Sequence, residues 1–241
     1  MMSRRRALQS LGALSALSPL MSCSSSNEYQ INYRLRMAVV ISGIRHEGAT
    51  VENIKWGSGG FLSGFDGIGA YSADAFAEAV VMDLGREKGL LFGLIFPPQN
   101  VSCFDARRVS EIFALEMPDD VRTTDAIRSG AFFRHIQQMT GEYALRKDNW
   151  PVLVRFRDMR DPTSAQIIAP DQLEAVYGPD SHVDNASVEI THDSITSRID
   201  RILPWLSQTK GAFSVYAGPS GAAPDAAKLT GRCFRLKGEA I

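Results

Sequence analysis

The chain has little cysteine and little histidine: three Cys and four His in 241 residues. No two cysteines form a Cys-x-x-Cys pair, so neither a thioredoxin-like site nor a zinc ribbon is indicated. A nucleophile elbow, a His-Glu-x-x-His helix and a calcium loop are also missing. No motif calls for a cofactor or a metal. There is no basic excess: 26 Lys and Arg stand against 27 Asp and Glu, a formal net charge of −1. Nucleic acid needs a basic footprint and is therefore not an expected partner. A polybasic patch for anionic headgroups is lacking too. No run reaches the roughly 20 strongly apolar residues that span a bilayer, and no repeat recurs at a fixed period. The chain has 44% hydrophobic residues, enough for a core, which excludes general disorder.

The first residues carry the strongest signal. Arg4-Arg5-Arg6 is followed by an uncharged run from Ala7 to Ser22, rich in Ala, Ser and Gly, and then by Cys23. Basic start, apolar middle and small-residue end are the order of a secretory signal, not of a spanning helix. Leu20-Met21-Ser22-Cys23 resembles the lipobox of bacterial lipoproteins, with Met21 where a small residue is commoner. That resemblance implies a diacylglycerol-modified Cys23 that becomes the new N-terminus. Ser3-Arg4-Arg5-Arg6-Ala7-Leu8 also resembles a twin-arginine export signal, although Ala7 stands where that family has an aromatic residue. Two or more acyl chains, at about 0.8 kcal/mol per buried methylene, give stable anchoring. Residues 1–22 are thus expected to be removed, with residues 23–28 as a polar tether and 29–241 as a single domain. Removal takes three arginines and no acid, which leaves the mature chain more acidic. Ser24 is not the aspartate associated with inner-membrane retention, so the outer membrane is favoured, with the protein facing the periplasm.

With Cys23 committed to lipid, Cys103 and Cys233 remain, and a disulfide between them suits an oxidising compartment. From Tyr29 to Ile41, Tyr, Ile, Leu, Met and Val alternate with Gln30, Asn32, Arg34, Arg36, Ala38 and Val40, the second set polar through Arg36. This period of two predicts a long, half-buried strand in an antiparallel sheet, with Arg34 and Arg36 toward solvent. Gly43–Ala49 reads as a turn and Thr50–Trp56 as a second strand. The glycine-rich stretch from Gly57 to Gly69 fits neither a phosphate loop nor a dinucleotide fingerprint. Its Phe61, Leu62 and Phe65 suit either a partner-binding tip or residues that fold back on the sheet. Phe76–Leu84 and Gly89–Phe96 read as a hairpin, the second strand central. Further strands are expected at Trp150–Arg157, Ala165–Ala169, Val183–Thr191 and Leu229–Lys237. Helices are expected from Asp105 to Glu116, from Thr123 or Thr124 to Gly141, from Pro170 to Tyr177 and from Ser194 to Leu203. A loose segment covers 207–228. The fold class is α+β, a mostly antiparallel sheet with three to four short helices.

Several segments, Glu78–Gly85, Leu91-Phe92, Pro151–Asp158, Ile190–Asp193 and Leu203–Leu206, resemble motifs of an uncharacterised group of bacterial proteins. The resemblance implies a shared fold and no chemistry. Residues with catalytic potential are few. Asp158 and Asp161 pair in a polar turn, where such carboxylates usually bond their own backbone. His182 and His192, near Asp184 and Asp193, offer ligands from two segments, but His192 ends a strand and Asp193 suits a helix cap. His135 lies on an amphipathic helix, where a lone His is more often packed or exposed than ligating. Two functions follow. The first is an envelope lipoprotein that binds or assembles with an envelope protein. The second is a lipid-anchored hydrolase using Asp158, Asp161, His182 and His192. The strong address and the missing catalytic motif favour the first.

Overall fold

The computed structural model describes residues 28–58, 71–94, 112–209 and 229–240. The alternating segment forms strand β1 (Glu28–Ile41), with Tyr29, Ile31, Tyr33, Leu35, Met37, Val39 and Ile41 buried on one face. It turns into β2 (Ile44–Ser58) through only two residues. Ser42 and Gly43 both have positive φ, 51° and 78°, and Ile41 lies opposite Ile44. Two such residues give a hairpin whose twist matches its strands. The broad turn expected over Gly43–Ala49 is therefore strand. Gly48, which suggested a turn, instead lets another strand approach: a β-carbon there would lie 2.9 Å from Val80 Cγ1.

The chain continues as β3 (Tyr71–Glu78), β4 (Val80–Asp83) and β5 (Leu90–Leu94). The strand expected from Phe76 to Leu84 is split at Ala79, where the chain passes from one sheet to a second. The Ala79 amide donates to Phe234 O at 2.9 Å instead of to a strand neighbour. The β4–β5 hairpin is as expected. Then follow β6 (Glu142–Ala144), β7 (Val152–Phe156), β8 (Ala165–Ile168), β9 (His182–Thr191) and β10 (Arg235–Ala240). The first sheet has the order β10-β3-β2-β1-β9-β6 and the second β4-β5-β7-β8. Every pairing is antiparallel.

The sheets enclose a main core that includes Met37 and Ile54 from the first and Leu91 and Leu153 from the second. The opposite face of the second sheet packs Phe92, Val154 and Phe156 against Ile199, Leu203, Leu206 and Phe234. Burial on both faces explains why β5 reads as continuously apolar.

Among the described residues are five α-helical segments, not three to four: a turn at 112–114, α1 (Thr124–Arg128), α2 (Ala131–Gln138), α3 (Leu173–Tyr177) and α4 (Ile199–Ile202). The α+β class stands. Thr123 caps α1 by accepting from the Ala126 amide at 3.1 Å. The single helix expected through to Gly141 is interrupted at Gly130, whose φ is 74°. A β-carbon there would overlap the Tyr29 ring, with Cε2 at 2.9 Å. The break lets α2 close one end of the main core, where Phe133 stacks on Tyr29 at 5.3 Å and 20°.

The helix expected from Ser194 shrinks to α4. Thr196 N donates to Val51 O at 2.9 Å, and Val51 N to Thr196 Oγ1 at 2.7 Å. Those groups satisfy β2 where β3 stops pairing with it, so they are not free for a helix. Ile195, expected on the inward stripe, is 39% exposed. The last strand starts later than expected because Gly231–Cys233 forms a short helical turn. Cys233 is buried there and disulfide-bonded. Arg4, Arg5, Arg6, Cys23, Cys103, the start of the Asp105 helix and most of the glycine-rich and 207–228 segments lie outside the described residues.

Gly130→Ala both strains a left-handed backbone and meets Tyr29. It is expected to destabilise the protein by roughly 1–3 kcal/mol in denaturant titration. A change below about 0.5 kcal/mol, the usual range for neutral surface substitutions, would contradict the packing described.

Candidate functional site

The residues singled out for chemistry do not converge. His182 opens β9 opposite Val40, and His192 lies just past its end. At about 3.3 Å per residue the two imidazoles' backbones are about 30 Å apart. Both histidines are exposed. Asp158 accepts from the Arg160 amide at 2.9 Å, and Asp161 from the Thr163 amide at 2.8 Å and hydroxyl at 2.6 Å. These bonds, the hydroxyl's first, hold the Asp161 carboxyl below the usual carboxylate range. Both aspartates thus act within their own turn. Among the described residues no group of three or more His, Cys, Asp and Glu is placed to hold a metal ion.

Asp193 caps no helix, because α4 begins six residues later. It instead pairs with Arg34, and its carbonyl accepts from Asn32 Nδ2 at 2.9 Å. Arg34 and Arg36 lie on the outer face of the sheet, as expected, but partly covered and paired. Glu189 bonds both, at 2.7 and 3.0 Å, and Glu142 lies 3.9 Å from Arg36. Arg36 and then Arg34 hold the Glu189 carboxyl below its ordinary range. Partly exposed pairs of this kind contribute about 0–1 kcal/mol each. They neutralise the outer face of the first sheet more than they stabilise it.

The unusual chemistry lies inside. Position 52 falls in the inward register of β2, with Thr50, Ile54 and Trp56, and Glu52 sits directly opposite Tyr33. Glu52 is 0% exposed, and the Tyr33 hydroxyl donates to its Oε2. Burial pushes the Glu52 carboxyl up to about 8; the Tyr33 hydrogen bond works against this and the charge of Glu78 adds to it. Burial, and then Glu52's charge, hold the Tyr33 hydroxyl well above its ordinary range. Glu52 Oε1 and Thr50 Oγ1 have no hydrogen-bond partner. Inspection of the alternation in β2 alone would place Glu52 inward once Ile54 and Trp56 are assigned to the core. The strand was legible, but the buried acid in it was missed.

Glu78 is the second buried carboxylate. Its Oε2 accepts the amides of Arg198 at 2.8 Å and Ile199 at 3.0 Å. Arg198 Nε lies 3.7 Å from its Oε1, and Arg198 Nη2 donates to Ala49 O at 2.7 Å. A cavity of about 70 Å³ beside Glu78 is walled by Phe76, Ile195 and Asp200. A larger one, about 240 Å³, lies between Ile112, Tyr143 and Arg146. Neither is lined by Glu52. The Tyr33–Glu52 pair can hold a proton in the core at neutral pH, and no described cavity brings substrate to it.

Among known proteins, no family model, no curated protein and no solved structure matches the chain.

The Tyr33–Glu52 pair has a definite pH signature. Burial raises the folded pKa above the unfolded one, so the folded protein keeps a proton that the unfolded chain has already lost. This contribution is full below about pH 4, falls by about 1.4 kcal/mol per unit as pH rises toward 8, and is flat above. Urea midpoints measured across that window should decline for the native protein, and Glu52→Gln should remove that part of the slope. An equal slope in the variant would assign it to other groups.

Proposed function

We propose that this chain is a lipid-anchored lipoprotein of the bacterial cell envelope, facing the periplasm, that acts as a binding or assembly component for an envelope protein. One observation carries the reading: basic Arg4-Arg5-Arg6, an uncharged small-residue run and Cys23 follow in order, and β1 begins at Glu28, five residues after that cysteine. A signal, an anchor and a short tether account for this arrangement together. Export by the twin-arginine route and residence on the outer membrane belong to the same reading, from Arg4, Arg5, Arg6 and from Ser24. The separation of His182 from His192, and the local bonding of Asp158 and Asp161, support a binding role over a lipid-anchored hydrolase built from those four residues. The resemblance of Glu78–Gly85 and Pro151–Asp158 to an uncharacterised bacterial group adds a shared fold only.

Cys233 is disulfide-bonded, and we pair it with Cys103, since Cys23 is committed to lipid. Closing a loop on the order of 130 residues contributes about 5 kcal/mol in the chain-entropy model. The tie would hold the turn at Gly231–Cys233, and with it Phe234, in the second core.

Two measurements test these proposals. Cys23→Ser should abolish palmitate labelling and leave unprocessed precursor; normal labelling would sink the lipoprotein assignment. Thiol counting on the denatured, unreduced mature protein should find no free cysteine, and peptide mapping should link Cys103 to Cys233. A free Cys103 thiol would refute the pairing.

A further inference from the structure

We infer that the end of the first sheet bearing Glu28, Gln30, Lys55, Arg134 and Gln137 is the face that lies against phospholipid headgroups. The inference rests on the proposed anchor at Cys23 and adds an orientation to it. Ser24 to Asn27 is all that separates Cys23 from β1. At 3.3–3.6 Å per residue, a fully extended tether reaches about 17 Å to Glu28. Glu28 cannot swing away to lengthen it. It is paired opposite Gly57 in the sheet, and its carboxylate lies 3.0 Å from Lys55 Nζ. Helix α2 is tied to the same end. Gln137 Nε2 donates to Gln30 O at 3.0 Å, and Arg134 Nη1 to the Tyr29 hydroxyl at 3.1 Å.

The opposite end is far from the anchor. β1 has 14 residues, and at about 3.3 Å each it carries the Ser42-Gly43 turn roughly 45 Å away. That end is a separate cluster: Lys88 Nζ donates to Ser42 Oγ at 2.9 Å, and Ser42 N to Ser181 Oγ at 3.0 Å. Ile44, 64% exposed, projects beside it. The near face has the chemistry of a headgroup contact. Glu28, Gln30, Arg134 and Gln137 are exposed polar side chains of both charge signs, which match a layer carrying phosphates and amines. None of the four large exposed hydrophobic side chains of the described residues, Ile44, Phe76, Leu115 and Ile195, belongs to that group. The distal cluster, with Ile44, is left to the aqueous compartment.

The test uses the mature, lipidated protein in vesicles of phosphatidylethanolamine and phosphatidylglycerol that carry a diazirine on the headgroup. Adducts are mapped by peptide mass spectrometry, and intact mass reports the acyl state of Cys23. Peptides covering 28–30, 55–57 and 134–137 should carry several-fold more adduct than those covering 42–46, 86–88 and 178–184. A Gly/Ser insert of about 20 residues after Asn27, reaching roughly 25 Å on average, should erase most of that contrast. Equal yield at both ends with an acylated Cys23 overturns the orientation alone. An unmodified Cys23 overturns the anchor and the orientation with it. A contrast that survives the insert also overturns it, because the short tether would then not be its cause.

Discussion

The period-two burial of β1 is the constraint on which the rest depends. This strand is paired along its length to β2 and over nine positions to β9, and its inward face contributes seven side chains to the main core. A one-residue slip would exchange that face for Arg34, Arg36 and Asn32. The burial of Tyr29, Tyr33 and Met37 therefore fixes the register of both neighbours at once. Glu52 and Thr50 are held inside by the same register. They do not choose burial; Ile54 and Trp56 on the same strand, opposite Ile31 and Tyr29, decide it for them, and the Tyr33 hydroxyl and a retained proton make it tolerable.

What could be read from the chain beforehand follows from how local each signal is. β1 was legible because apolar and polar residues alternate from Tyr29 through Met37, and the β4–β5 hairpin because Gly85 and Lys88 sit between two apolar runs. Thr123 announced a helix start, and Gly178 a helix stop, by the chemistry of their own positions. The misreadings share a different cause. Gly43–Ala49 looked like a turn because glycines and charges interrupt it, yet Gly48 is small so that β4 can pass close to β2. Residues 124–140 looked like one helix because their apolar spacing is nearly continuous, yet Gly130 makes room for Tyr29, a hundred residues earlier. Ser194–Leu203 has a helical stripe, but Val51 takes the hydrogen bonds of Thr196. In each case a partner distant in sequence overrode a local preference, and nothing within the window could have revealed it.

The candidate site divides in the same way. Asp158, Asp161, His182 and His192 were conspicuous because of their residue types, but neighbours in sequence or ends of one strand cannot assemble a centre. Glu52 and Glu78 were inconspicuous in strands, and they are where the interior departs from apolar packing. Their roles differ. Glu52 is accommodated by Tyr33 within the main core. Glu78 joins the outer segment leading into α4 to the point where the chain changes sheets, since it bonds the first amides of that helix while Arg198 reaches back to Ala49. Removing such a partner leaves two amides without their acceptor and a guanidinium group without its opposite charge, a loss usually larger than the net value of the contact itself.

The two strands that terminate the first sheet have a consequence for self-association. An open row of amides and carbonyls is a template for another chain, and long flat rows aggregate. Here one boundary, β6, is only three residues long. The other, β10, carries Arg235 and Lys237, and its register shifts between Lys237 and residue 239. A short strand offers too few bonds to nucleate growth, and an irregular, charged one twists and repels an incoming copy. Among the described residues both boundaries of the six-stranded sheet are thus poor templates for a further strand, so copies of the chain brought side by side would remain separate instead of merging into a continuous ribbon.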